Sequence, residues 1–546
     1  MDKRTITALL MMLVLYLAFD TFVWKPQRQA AMQANMIQPQ ETPTIADSSD
    51  VSEIPPVTSI ATSDTLLGKV ASTTSKLSLE NEHIKVQFDS KGAMITSIEL
   101  KNFKYNESQL VDLIPEATSI AGTSVYYGSN STDLSNTAFN YEQDAAGKSV
   151  TFYLGELANP TILKRYVLDD RFGISLDVEV QNLPSINGIR LDFQAGIADS
   201  EENTKSKNQD YRFFLNADNN ILKVPLSKLR KNQPQGSFGS FAWMAVRSKY
   251  FTLALREIEP PLSRSFNTVI NPDTANPGFS LDSFNRSSKQ SWKQSFVLYA
   301  GPADSDILKD YGRQMENIAE RGANWLRWLG NIMAWFLNWL HGYISNYGVV
   351  LIILALVLKI VLHPLTHKSL TSSMKMQKIQ PQLQVLQKKY KDDPKTLQLE
   401  MSKLYKEAGA NPLSGCLPLL LQMPIFISLY NVLRYSLDMR NAGFVLWLTD
   451  LSEPDPYLIL PIIMGVFMII QSLMMQPKKA NLDEMDEKQK AMQSSQKMMT
   501  WMMPIMMFFI FRNMPAGLVL YWTTFNIFSV IQQYYLMKHY KNKDFA

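Results

Sequence analysis

From residue 76 to about residue 310 the apolar positions recur at every second residue. Ile84, Val86 and Phe88 fall on one face, Asp89-Ser90-Lys91-Gly92 reads as a turn, and Ile95, Ile98 and Leu100 follow. Tyr166 and Leu168 lead into Asp169-Asp170-Arg171-Phe172-Gly173, after which Ile174, Leu176, Val178 and Val180 alternate again. Phe251–Leu255 and Ser295–Tyr299 read as further strands. Half-buried strands joined by Gly, Asp and Asn turns predict a large antiparallel β-sandwich.

The period then changes. Trp325, Trp328, Leu329, Ile332, Trp335, Phe336 and Trp339 recur at helical spacing with Arg327 as the only full charge. A Trp-heavy amphipathic helix suits a membrane–water boundary; a helix packed on the sandwich is the alternative. Five apolar runs follow, at Tyr347–Leu362, Cys416–Leu433, Tyr457–Leu473, Met498–Phe511 and Gly517–Met537. Runs of this kind predict a polytopic α-helical membrane protein. Another apolar stretch, Thr5–Trp24, follows Lys3 and Arg4; it reads as an uncleaved signal anchor, giving six spans in all.

Charge sets the orientation. The connection 363–415 carries Lys368, Lys375, Lys378, Lys388, Lys389, Lys391, Lys395, Lys403 and Lys406, and 476–497 carries five more lysines. The opposite connections hold only Arg434 and Arg440 in one and Arg512 in the other. Both lysine-rich loops and both termini are therefore expected in the cytoplasm, with the sandwich outside. Residues 25–75, rich in Gln, Ser, Thr and Pro, read as a tether. Within 366–409, Ile379, Leu383, Leu386 and Tyr390 form one stripe and Leu397, Met401 and Leu404 another. Asp393-Pro394 between them supplies a cap and a helix start, which predicts a projecting helical hairpin.

Composition narrows the class further. The formal charge of +4 is too small to imply a nucleic-acid function, and Cys416 is the only cysteine, so no intrachain disulfide forms. No P-loop, dinucleotide-binding glycine pattern or HExxH motif is present. His363 and His367 are four apart, but Pro364 interrupts them and no further ligand joins them, so neither metal nor cofactor is expected.

Lys359 is the one basic residue inside a C-terminal span, and no Asp or Glu lies within these five spans to pair with it. An intramembrane ammonium must face water or a partner, or else snorkel to the interface. Gln422, Gln471, Trp522 and Asn526 also interrupt apolar runs, either as lining of a shared polar pocket or as interhelical glue. The fourth run, the fifth span when Thr5–Trp24 is counted, is short and carries Met498, Met499, Met502, Met503, Met506 and Met507. Flexible thioethers suit a surface that accepts many apolar partners, and they also serve as ordinary core filler.

The stretch Asn411-Pro412-Leu413-Ser414-Gly415-Cys416-Leu417-Pro418 and on to Gln422-Met423-Pro424-Ile425-Phe426 resembles the YidC membrane-protein insertase family, as does Pro515-Ala516-Gly517-Leu518-Val519-Leu520-Tyr521-Trp522. The resemblance implies a five-helix insertase core around a hydrophilic groove open to the cytoplasm and lipid, with Lys359 where the family usually has arginine. It implies groove-lining roles for Gln422, Gln471, Tyr521 and Trp522. Met423, Pro424 and Phe426, with Met503 and Met507, are expected to form the apolar surface along which a client segment leaves. The implied organisation is a signal-anchor span at 1–24, a tether at 25–75, a periplasmic sandwich at 76–315, an interfacial helix at 316–343 and the core at 344–540. The implied setting is the bacterial inner membrane. The implied partners are nascent membrane proteins, the Sec translocon, membrane lipids, and the ribosome or signal-recognition machinery at the hairpin. A secondary transporter, which lacks its usual midplane carboxylates here, and a membrane-anchored carbohydrate-binding protein are the rival readings.

Overall fold

The computed structural model describes residues 70–475 and 501–543, apart from 107, 218–219, 232–234, 239–240, 259–262, 271–275, 320–323, 391–392 and 412–416. The expected signal anchor, most of the tether, and the second lysine-rich loop lie outside the described residues. The chain divides into two compact units between Glu320 and Arg321.

The first unit is built from a four-stranded and a thirteen-stranded sheet, and every described strand pair is antiparallel. Ile84–Asp89 alternates as its sequence requires, with Ile84, Val86 and Phe88 fully buried. Its partner strand Met94–Lys104 buries both Ile95 and Ile98 although they are three apart. A register shift opposite Gln87 and Phe88 inserts one extra residue and turns both inward. The larger sheet runs from Asn220–Pro225 at one edge to Asn140–Gln143 at the other. Its spine is the pairing of Gly173–Phe193 with Pro277–Pro302. The turn before that spine is closed by Asp169 Oδ1, which accepts from the Arg171 and Gly173 amides, both at 2.8 Å. Across the spine Arg190 meets Asp282 at 2.6 and 3.0 Å, and the Tyr126 hydroxyl donates to the same carboxylate at 2.7 Å.

Aromatic packing joins the two sheets. Phe88 of the small sheet lies 4.9 Å from Tyr166 and 6.1 Å from Phe152 of the large one, centroid to centroid. Beside them Lys164 is fully buried, and its Nζ donates to the carbonyls of Ala121, Ala93 and Gly92 at 2.6, 2.8 and 3.3 Å. Three acceptors match the three N–H groups of an ammonium, so this lysine acts as a cross-brace in the core.

The second unit is helical. Helix α1 (Arg327–His341) buries Gly330, Met333, Leu337 and Leu340, while Trp328, Ile332, Trp335 and Trp339 remain exposed on the other face. Leu329 and Phe336 pack against the buried face, and the Phe336 ring also lies 5.9 Å from that of Trp339, centroid to centroid. Helix α2 (Tyr347–Val361) starts at Asn346, whose Oδ1 accepts from the Gly348 and Val349 amides and whose Nδ2 donates to the Phe444 carbonyl at 3.0 Å. Gly348 lies flush against Phe444; any Cβ there would run into the ring.

Helix α3 (His363–Lys378) continues from α2 after a 64° bend, with Pro364 in its first turn. Residues 366–378 therefore belong to this helix, and the hairpin proper is narrower than the expected 366–409. It consists of α4 (Gln380–Lys389) and α5 (Pro394–Glu407). Asp393 caps α5 through the Lys395 and Thr396 amides, both at 3.1 Å. Ile379, Leu383, Met401 and Ala410 form a small core there, separate from the main one.

Four more helices follow among the described residues: α6 (Leu417–Tyr435), α7 (Ile459–Met474), α8 (Trp501–Phe511) and α9 (Ala516–Lys543). The loop between α6 and α7 folds over one end of the group. Asp455 accepts from Trp447 Nε1, Tyr457 N and Leu460 N, and the Ala516 and Gly517 amides donate back to Glu453 and Leu451. Among the described residues no single helix is long and apolar enough to cross a membrane. The bent pair α2–α3 reaches that length and apolarity only when its two helices are taken together, and α7 and α8 are shorter apolar helices.

Candidate client groove

Helix α9 gathers the polar groups. Trp522, Asn526, Ser529 and Gln533 are spaced four, three and four residues apart, which places them along one face. Asn526, Ser529 and Gln533 are buried. Lys359, in the last turn of α2, is 8% exposed, and its Nζ donates to Ser529 Oγ at 2.7 Å. One turn further on, Gln532 Nε2 lies 3.0 Å from His363 Nδ1 and donates to Thr366 Oγ1 at 3.2 Å. A polar seam therefore runs between α9 and the bent pair.

The sequence-derived residues separate into two groups around this helix. Gln422 on α6 donates to the Tyr521 hydroxyl at 3.1 Å, and both side chains are buried. Gln471 on α7 accepts from Gln533 Nε2 of α9 at its backbone carbonyl, at 3.5 Å. Trp522 is held by aromatic contacts, 5.1 Å from Phe426 and 5.5 Å from Phe511. Lys359 and Gln422 thus approach α9 at different heights, Lys359 at Ser529 and Gln422 at Tyr521.

Several buried polar atoms here have no hydrogen-bond partner among the described residues. They are Ser428 Oγ, Trp522 Nε1, Thr523 Oγ1, Asn526 Nδ2, Gln532 Oε1 and Gln533 Oε1. Each would cost about 1–3 kcal/mol in a dry interior, so together they call for water or a passing polar chain. On the apolar side, Met423, Pro424 and Phe426 of α6 are half-buried, as are Met503 and Met507 of α8. The outward face of α8 consists instead of Trp501, Met502, Ile505, Met506, Phe509 and Ile510. Pro424 stands inside α6, where its missing N–H breaks the backbone ladder.

The family profile of the 60Kd inner membrane protein matches residues 339–543, and that of the YidC periplasmic domain matches residues 76–336. A membrane protein insertase YidC from Chlorobium limicola is 30% identical over 572 residues, covering 98% of this chain and 94% of the relative. The chain belongs to the YidC membrane-protein insertase family. A solved YidC insertase with its first transmembrane domain resolved covers 86% of this chain and 96% of its own, at 19% identity and a TM-score of 0.35. An aldose epimerase homologue from C. elegans covers 42% of this chain and 99% of its own, at 10% identity and a TM-score of 0.30. The family is one of inner membrane proteins, with a periplasmic β-rich domain and a helical C-terminal region.

Ser529, Gln532 and Thr366 were not singled out in the sequence. The signal was available in the spacing of α9, where Ser529 and Gln533 extend the face begun by Trp522 and Asn526. Among the described residues no three or more His, Cys, Asp or Glu side chains gather as a metal site.

Proposed function

We propose that this chain moves client transmembrane segments from a hydrated, cytoplasm-open groove into lipid. The groove residues are Lys359, Gln422, Gln471, Tyr521 and Trp522. The observation that carries this reading is Lys359: a buried cation held by a hydroxyl and a ring, with no carboxylate partner among the described residues, beside a row of unpartnered polar atoms. Such a group needs water or an incoming acceptor at membrane depth. The apolar part of the client leaves past Met423, Pro424, Phe426, Met503 and Met507. Burial of its apolar surface supplies the driving force, about 25 cal/mol per Å² before ordering costs.

The topology belongs to the same proposal. Six spans place both termini in the cytoplasm and the sandwich in the periplasm, with domain limits as the sequence suggests. Leu356 and Ile360 on α2, Ile462 and Val466 on α7, and Met502, Met506 and Phe509 on α8 are exposed, which supports lipid contact. The exposed tryptophan face of α1 supports a place at the interface. The sandwich binds no substrate for turnover in this reading. The Sec translocon, the lipids and, at the α4–α5 hairpin, the ribosome or targeting machinery are the proposed partners.

Photo-crosslinkers at Met423, Phe426, Met503 and Met507 test the route. They should capture a stalled client segment, while probes at Leu356 and Ile360 should not. Capture mainly at α2 or at the sandwich would sink the proposed path.

A further inference from the structure

The surroundings of Lys359 contain more order than the family resemblance requires. Its Nζ donates to Ser529 Oγ at 2.7 Å and stands 4.8 Å from the centroid of the Phe525 ring. Ser529 in turn donates its own proton to the Phe525 carbonyl at 2.8 Å, one turn earlier on α9. A hydroxyl has one proton, and here it is committed to the backbone. The oxygen therefore meets the ammonium with a lone pair whose direction is fixed. The ring adds its negative face to the same cation.

We propose that Ser529 and Phe525 form a seat that positions Lys359, with Ser529 as the fixed acceptor and Phe525 as the aromatic wall. An ammonium carries three N–H groups, and the seat engages one of them. The other two are left to a polar or acidic part of the client. Without the seat the flexible four-carbon stem would snorkel toward the interface. The seat also suits lysine in particular. A single oxygen and one ring face match a compact point charge, whereas a guanidinium fork is best met by two parallel acceptors. This inference rests on the reading of Lys359 as the cation that attracts clients.

The test uses the full-length protein in proteoliposomes and one client segment in two versions, with an acidic or a neutral translocated end. Ser529→Ala should lower insertion of the acidic version about fivefold to tenfold, the scale of one ordinary hydrogen bond lost. The neutral version should change less than about twofold on the same scale. Ser529→Thr should restore the acidic client, and Phe525→Leu should give an intermediate loss. In a Lys359→Ala background, Ser529→Ala should have no further effect. Equal loss of both clients, or a full Ser529→Ala effect without Lys359, would overturn the seat. A Lys359→Ala defect confined to acidic clients, without any Ser529→Ala defect, would overturn the seat alone. If Lys359→Ala treats both clients alike, the client-attraction reading falls and takes the seat with it.

Discussion

Gln422 Nε2 and the Tyr521 hydroxyl lie 3.1 Å apart, a polar contact between α6 and α9 enclosed by apolar side chains. Inside a low-dielectric region such a bond is strong, and losing one partner strands the other. Tyr521→Phe should therefore destabilise the helical unit by about 1–3 kcal/mol, measured by unfolding in detergent. The double variant Gln422→Leu with Tyr521→Phe removes both polar groups together, so stability should largely return. Insertion should stay low, because the groove has lost its polar wall. Recovery of insertion along with stability would show that the pair only glues helices.

The charge at position 359 gives a second prediction. Lys359→Arg keeps the cation and should retain most insertion activity, with a shortfall on acidic clients because the Ser529 seat offers a fork only one acceptor. Lys359→Ala should impair clients with acidic translocated segments more than neutral ones, read as the ratio of inserted to uninserted client. Equal insertion of both by the alanine variant would remove the electrostatic role.

The hairpin α4–α5 has a core of its own, formed by Ile379, Leu383, Met401 and Ala410. Deleting residues 380–408 should reduce insertion in cells and leave the remaining helices folded, as judged by limited proteolysis and circular dichroism. Collapse of the helical unit on deletion would make the hairpin structural. Leu383→Asp, which buries an unpaired charge in that core, should reproduce the deletion phenotype.

In the sandwich, burial pushes the Asp192 carboxyl up to about 6, only partly offset by the Gln194 amide and Arg190. A folded-state value above the unfolded one favours the fold fully below the ordinary carboxyl range near 4. That advantage is lost as pH rises through about 6. Asp192→Asn should thus stabilise the sandwich at pH 8 by about 1–2 kcal/mol and by much less at pH 4.5. Hydrogen exchange of strand Gly173–Phe193 at the two pH values reads the difference. An equal gain at both would refute the assignment to burial.

The sandwich was legible because strands alternate. Ile84, Val86 and Phe88, and Ile174 through Val180, point inward as written, while Ile95 and Ile98 needed a bulge that no pattern shows. Lys164 was missed, although it occupies an inward slot between Ile162 and Tyr166. A lysine reads as solvent-facing until three carbonyls are seen to converge on it. In the helical unit the apolar runs marked the helices, and Lys359, Gln422 and Trp522 stood out as interruptions. Their separation into two contacts on α9, Lys359 with Ser529 and Gln422 with Tyr521, depends on helix rotation and bend angle. Neither is encoded in local spacing. The tryptophans of α1 were recognised as a stripe, yet the outward orientation of that stripe follows from which neighbours cover the other face.

The bend between α2 and α3 has an electrostatic consequence. Lys359 sits in the last turn of α2, and Pro364 has no N–H to return to the Ile360 carbonyl. Carbonyls at a helix C-terminus act together as roughly half a negative charge. The 64° turn leaves that negative end in the turn that carries Lys359 instead of cancelling it in a straight helix. On the proposed reading, a client carboxylate would then meet a shallower well than a bare cation offers. Brief dwell times suit a protein through which many chains must pass.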